Sequence, residues 1–193
     1  MIELPDRPAP TQMEPTLLDY GSVQRGAASQ RINRPGSRYR MAFSTPPMEP
    51  DTSRKFVARL LRAKREGLRV KLPLIVPQGI PGTPVVNGAG QAGTTIALRG
   101  LTPGYIAKEG FWLNIVEADG TSYLHSVFET AVADENGEAL IEIEPALRAP
   151  FADGDSVELS APWIEGFVVG EDWSWVVPVN RYIALSFPVE EYQ

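Results

Sequence analysis

The sequence predicts a mainly β chain carrying one α-helix. Three observations predict it. With 17 Gly and 18 Pro among 193 residues, the chain must turn often, and 4 Trp, 6 Tyr and 7 Phe supply large side chains for a β-rich interior. Asp119-Gly120, Asn136-Gly137 and Asp153-Gly154 each separate apolar-rich runs, and Asx-Gly pairs provide the positive φ that tight hairpin turns need. Only one segment, about 51–65, has helical spacing. At 43% hydrophobic content the chain can bury a core, either as one compact domain or as two small packed ones.

The first segment holds Pro5, Pro8, Pro10 and Pro15, so it is expected to run extended, either as a loose terminus or as an arm laid on a neighbouring subunit. Leu17 to Tyr20 and Tyr39 to Phe43 read as short strands, joined through GSVQRGAASQRINRPGSR, a long exposed connection or a hairpin. In the helix, Phe56, Val57, Leu60 and Leu61 line one face, with Asp51 or Ser53 as N-cap and Gly67 as C-terminal cap. Val70 to Val76 follows as a strand. The Pro- and Gly-dense stretch from Pro77 to Gly93 reads as a linker or the neck of an inserted module.

Beyond it, strands are expected at 94–99, 111–117, 122–128, 139–143, 156–159, 166–169, 175–179 and 183–189. Gly110 to Pro150 should form a β-meander. Period-two alternation is clearest where Leu140, Glu142 and Glu144 oppose Ile141 and Ile143. Phe111, Leu113, Leu124, Leu140, Ile143 and Phe187 are the expected apolar core. If the closing RYIALSFPVEEY returns to the N-terminal sheet, residues 1–82 and 163–193 form a discontinuous domain around an inserted β-rich module, 83–162.

Composition narrows the chemistry. The chain has no cysteine, so disulfides, thiolate metal sites and cysteine nucleophiles drop out. No apolar run reaches the roughly 20 residues of a spanning helix, and MIELPDRPAP lacks a signal-peptide core, so no membrane contact and folding in a cytoplasm are expected. Charge is polarised: residues 1–71 hold 14 basic and 7 acidic groups, net +7, and residues 72–193 hold 4 and 17, net −13.

Candidate sites each have a plain structural reading. His125 is the only histidine, cannot build a zinc site without cysteines, and has no G-x-S-x-G elbow to pair with; Ser122 and Ser126 beside it do not make a triad. Glu138, Glu142 and Glu144 resemble paired glycosidase carboxylates, but alternation with Ile141 and Ile143 already explains a solvated strand face. Asp134, Asn136 and Gly137 begin like a calcium loop whose distal glutamate is missing. GAGQAG at 88–93 precedes a strand, not the helix a phosphate loop needs. No catalytic residue, metal or cofactor is therefore expected. Arg54, Lys55, Arg59, Arg62 and Arg65 crowd the solvent face of the helix near Arg31, Arg34, Arg38 and Arg40, a set suited to phosphates or to the acidic half of another subunit. Trp163, Trp173 and Trp175 offer a platform for a sugar ring.

The strings Gly110-Phe-Trp-Leu, Tyr123-Leu-His, Ala133-Asp134 with Gly137, and Ile143-Glu-Pro145-Ala-Leu147-Arg148 resemble a segment of tail-tip proteins of long-tailed bacteriophages; LPDRPAPTQMEPTLLDYG and NRPGSRY support the likeness. The resemblance implies a distal-tail-like structural protein: an N-terminal β-sandwich bearing the helix and forming a ring, hexameric in related proteins, with the inserted module projecting outward. It further implies a place in the virion tail between the tail tube protein and the hub or other tip proteins, with DNA passing through the lumen without specific binding. Arg54, Arg59, Arg62, Arg65, Glu142 and Glu144 are then the expected assembly contacts. The alternative is a carbohydrate-binding module that uses the three tryptophans on a host surface glycan.

Overall fold

The computed structural model describes the chain except residues 6, 26–28, 33–35, 171 and 193 and the side chains of 23–25 and 29–32. It is mainly β with one helix and forms two compact units, Met1–Leu17 with Tyr39–Ile75 and Trp163–Tyr192, and Leu18–Arg38 with Val76–Pro162.

The first unit contains β1 (Ile2–Glu3), β2 (Gln12–Leu18), β5 (Arg38–Ser44), α1 (Pro50–Glu66), β6 (Leu68–Lys71), β15 (Trp163–Val168) and β16 (Ser186–Glu191). Its six strands form one sheet in the order β1-β6-β15-β16-β5-β2. Strand β1 runs parallel to β6, while β6, β15, β16 and β5 pair antiparallel in turn. Alternation sends Tyr39, Met41 and Phe43 of β5 and Phe187 and Val189 of β16 into the interior, where registered Phe43 and Phe187 stack with centroids 5.7 Å apart. Two acids are buried there with partners: Glu191 accepts the Tyr39 N–H at 2.7 Å, and Glu165 accepts from Arg69.

The helix N-cap lies two residues before the earlier of its polar candidates, Asp51. Glu49 is the N-cap without a side-chain bond, and Pro50 opens the first turn, where its missing N–H costs nothing. Ser53 is buried and donates to the Pro50 carbonyl oxygen at 3.1 Å instead of capping. Gly67, at φ 80°, ends the helix by donating to Ala63. Ser53, Phe56, Leu60 and Ala63 are the buried side, set against β15, β6 and β1.

The N-terminal prolines do not leave a strandless arm. Gln12–Leu18 is the outer strand beside β5, a sheet edge where Pro15 needs to donate nothing inward. Strand β6 stops at Lys71, short of the expected Val76, because Pro73 and Pro77 follow. The valine-rich run 175–179 is no strand; it lies in the loop from Asp172 to Leu185.

The second unit contains a hairpin, β3 (Ser22–Arg25) with β4 (Ser29–Ile32), the antiparallel pair β9 (Ile106–Ala107) with β12 (Ala131–Val132), and a closed barrel. The barrel strands are β7 (Gly82–Val86), β8 (Thr95–Leu101), β10 (Trp112–Val116), β11 (Ser122–Val127), β13 (Ala139–Glu144) and β14 (Ser156–Glu158), joined in the order β10-β11-β13-β8-β7-β14. Strand β14 also pairs with β10, which closes the ring of hydrogen bonds. Strand β7 lies inside the Pro- and Gly-rich stretch expected to be a linker, so that stretch supplies a stave of the barrel.

Ile96, Leu98, Leu113, Ile115, Ile141, Ile143 and Phe151 fill the barrel, with Tyr123 edge-on to Phe151 at 5.1 Å. The expected core list divides accordingly. Phe187 belongs to the first unit, Phe111 is partly buried against the barrel core, and Leu140 is 67% exposed because it shares the outer face of β13 with the glutamates. Gly137 is fixed twice over: its φ is 75°, and an added Cβ would lie 2.2 Å from the Leu101 carbonyl oxygen. Gln78, also from the expected linker, is buried and mimics a strand end. Its amide donates to the Trp112 carbonyl oxygen at 2.7 Å and to that of Leu159, and its oxygen accepts the Trp112 N–H at 2.7 Å.

Candidate functional site

Helix α1 carries two apolar stripes, only one of which is buried. Phe56, Leu60 and Ala63 face the sheet, whereas Val57 and Leu61, the same i, i+4 spacing one residue on, turn toward a groove. Leu61 is 50% exposed, so the expected four-residue core face was too wide. The groove has a volume of about 510 Å³, and Trp175, Val177 and Ile183 of the 172–185 loop form its other wall. Arg54 and Arg181 also line it.

The loop is held at both ends. Trp173 donates its indole N–H to the Ser186 carbonyl oxygen at 2.8 Å, and Met48 and Ile183 exchange backbone bonds at 2.9 and 3.1 Å. Between these anchors Arg181 takes φ 62°, closing a turn onto the Pro178 carbonyl oxygen, and Val176, Val177 and Val179 are 79%, 63% and 101% exposed. Valines so exposed in a fixed loop are unusual for a surface with nothing to bind.

The four helix arginines named above are all on α1, and each has a partner within the unit. Arg54 pairs with Asp51 at 3.3 Å, and Arg59 donates to the Glu3 carbonyl oxygen at 2.6 Å. Arg62 and Arg65 reach Glu66 at 2.8 and 3.4 Å, and the Arg62 bond holds the Glu66 carboxyl below its usual range. Arg40 pairs with Glu190 at 2.6 Å, and Arg38 bonds the Tyr20 hydroxyl at 3.0 Å; Arg31 and Arg34 lie outside the described side chains.

Glu142 and Glu144 are exposed on β13, in the other unit from those arginines. Phe128, 62% exposed, donates its N–H to the Glu142 carbonyl oxygen at 2.8 Å and thereby sits beside Glu142 on the outer face. Leu140, Glu142 and Phe128 form one patch, apolar with an acidic margin, on a segment 76–162 that holds 3 basic and 12 acidic residues, net −9. Helix α1, with 6 basic and 2 acidic residues, is +4, so the larger part of each half's net charge lies on the helix and on the barrel segment.

The tryptophans separate. Trp173 and Trp175 meet with centroids 5.1 Å apart and an interplanar angle of 35°, while Trp163 lies on β15 under the Arg69 guanidinium at 4.8 Å. His125 is fully buried on the barrel-facing side of β11 with Tyr123 and Val127. Asp134 accepts the N–H groups of Glu138 and Asn136, each at 2.8 Å, which makes it a turn anchor and lowers its pKa. Residues 88–93 lead into β8 and are tied by Gln91 to the Asn87 and Gly88 carbonyl oxygens. Among the described residues no group of three or more His, Asp or Glu is placed to hold a metal ion.

Sequence reasoning named Trp175 and Arg54 but missed the groove and Arg181. The available signal was the excess width of the helix's apolar arc over what one buried stripe requires. No protein-family model and no curated protein matches the chain.

Proposed function

We propose that this chain is a structural subunit of a long-tailed phage tail tip, assembling as a ring, hexameric by the resemblance, between tail tube protein and hub. In this reading the sheet-and-helix unit, residues 1–82 and 163–193, presents the groove side of the ring contact, the 83–162 module presents the patch side, and the place of action is the virion. The observation that carries it is the pairing, on one chain, of an exposed apolar groove that two arginines also line and an exposed apolar patch with an acidic margin. Surfaces of that kind mark association, and unlike surfaces on one subunit favour head-to-tail closure.

Sedimentation and electron microscopy of the purified chain test this. Closed particles of one rotational symmetry that dissociate as salt rises are expected; a monomer at every concentration, alone and with tail tube protein added, would refute it. The Trp173–Trp175 pair favours a second reading, glycan binding at the loop. Array binding lost in Trp175→Ala with the oligomer intact would support that reading instead.

A further inference from the structure

We propose that the α1 groove of one copy receives the Leu140–Phe128–Glu142 patch on the barrel of the next, an inference that rests on the ring reading above. Each surface is apolar at its centre. Leu61 and Val177 are 50% and 63% exposed in the groove, and Leu140 and Phe128 are 67% and 62% exposed on the patch. A groove of about 510 Å³ has room for large apolar side chains, and the patch offers two, Leu140 on β13 and Phe128 just past the end of the neighbouring β11.

Charge selects this pairing over its rivals. Two grooves face to face would set Arg54 and Arg181 against their own kind, and two patches would set Glu142 against Glu142. Groove against patch sets arginine against glutamate. The surfaces are complementary to each other and not to themselves, which defines a heterologous contact between copies. The Arg54–Asp51 pair does not stand in the way: its side chains are 75% and 90% exposed, and a pair so solvated holds little energy.

The natural chain has no cysteine, so engineered thiols report cleanly. L61C and L140C proteins are mixed and oxidised; a disulfide-linked pair is expected in the mixture, well above the yield from either variant alone. In parallel, R54E/R181E and E142R/E144R are each expected to weaken self-association by about tenfold or more, and their mixture to restore it, because each then offers the charge the other lacks. Circular dichroism confirms that the variants fold. Closed particles without a 61–140 link, or without rescue on mixing, overturn the pairing and leave the ring reading standing. A 61–140 link in open chains supports the pairing and overturns the ring. Absence of both overturns both.

Discussion

His125 lies with its Nδ1 2.8 Å from the Pro145 carbonyl oxygen, and its Nε2 meets no hydrogen-bond partner among the described residues. A carbonyl can only accept, so Nδ1 carries the hydrogen, and full burial keeps the ring neutral. Burial pushes its pKa down from 6.5 to about 3, the nearby Arg148 guanidinium adds to the depression, and the Pro145 bond opposes it. The unfolded chain thus binds a proton that the folded chain refuses. The stabilising effect of the neutral ring is complete above pH 6.5 and drains away as pH falls toward about 3. Denaturant titrations should show about 2 kcal/mol lost from this group by pH ~5, and His125→Gln should flatten that part of the profile. An unchanged slope in the variant would refute the assignment.

Gly166 touches the neighbouring strand so closely that an added Cβ would lie 1.7 Å from the Glu190 carbonyl oxygen. Backbone cannot yield there without parting β15 from β16 at the centre of the sheet. Gly166→Ala should cost on the order of 4 kcal/mol or more, measured by thermal unfolding. Gly90→Ala is the contrast: φ is 74° but nothing lies within 4 Å, so only conformational strain of about 1 kcal/mol is expected.

Neighbouring leucines on α1 should behave in opposite ways. Leu60 is fully buried, and Leu60→Ala should cost about 2–5 kcal/mol through lost burial and a cavity. Leu61 is half exposed toward the groove, so Leu61→Ala should change stability by less than about 1 kcal/mol while weakening self-association. Equal losses of stability at both positions would mean that Leu61 is core and the groove is not an open surface.

Local pattern made much of this fold legible. In Ala139–Glu144 period-two alternation predicts burial, with Ile141 and Ile143 on the core face and Glu142 and Glu144 in water, while Leu140 goes with the glutamates despite its hydrophobicity. Gly67 ends the helix for a reason that lies within one turn. What pattern hid depends on distant partners. Strand β7 carries Gly82 and Pro84, turn residues by propensity, yet β8 and β14 flank it and hold it extended. Valines 176, 177 and 179 have strand propensity but no neighbouring strand to pair with, so propensity misleads there. The groove joins helix residues to a loop more than a hundred positions later, and nothing local marks such a meeting.

Gln78 tests how far a side chain can serve as a strand. It bonds both backbone groups of Trp112 and the carbonyl oxygen of Leu159, while its own carbonyl oxygen accepts the Tyr105 hydroxyl at 2.7 Å. Gln78→Ala should destabilise the barrel by about 2–4 kcal/mol, since several buried groups lose an amide at once. Gln78→Glu should also destabilise, because a carboxylate can accept the Trp112 N–H but cannot donate to two carbonyls. Amide hydrogen exchange would localise both effects to β10 and to residues near Leu159.

Trp173 controls the loop that walls the groove. Its indole N–H is the anchor to Ser186, the first residue of β16, and its ring lies against Trp175, which lines the groove. Trp173→Phe keeps an aromatic ring beside Trp175 but deletes the donor, a loss of about 0.5–1.5 kcal/mol confined to the loop. Exchange rates and protease cleavage should rise across 172–182 with global melting nearly unchanged, because the sheet and barrel keep all their own bonds. Loosening that wall raises the entropy cost of closing the groove on a partner, so self-association should weaken even though no contact residue has changed. Faster exchange with undiminished association would show that the loop is no part of the interface.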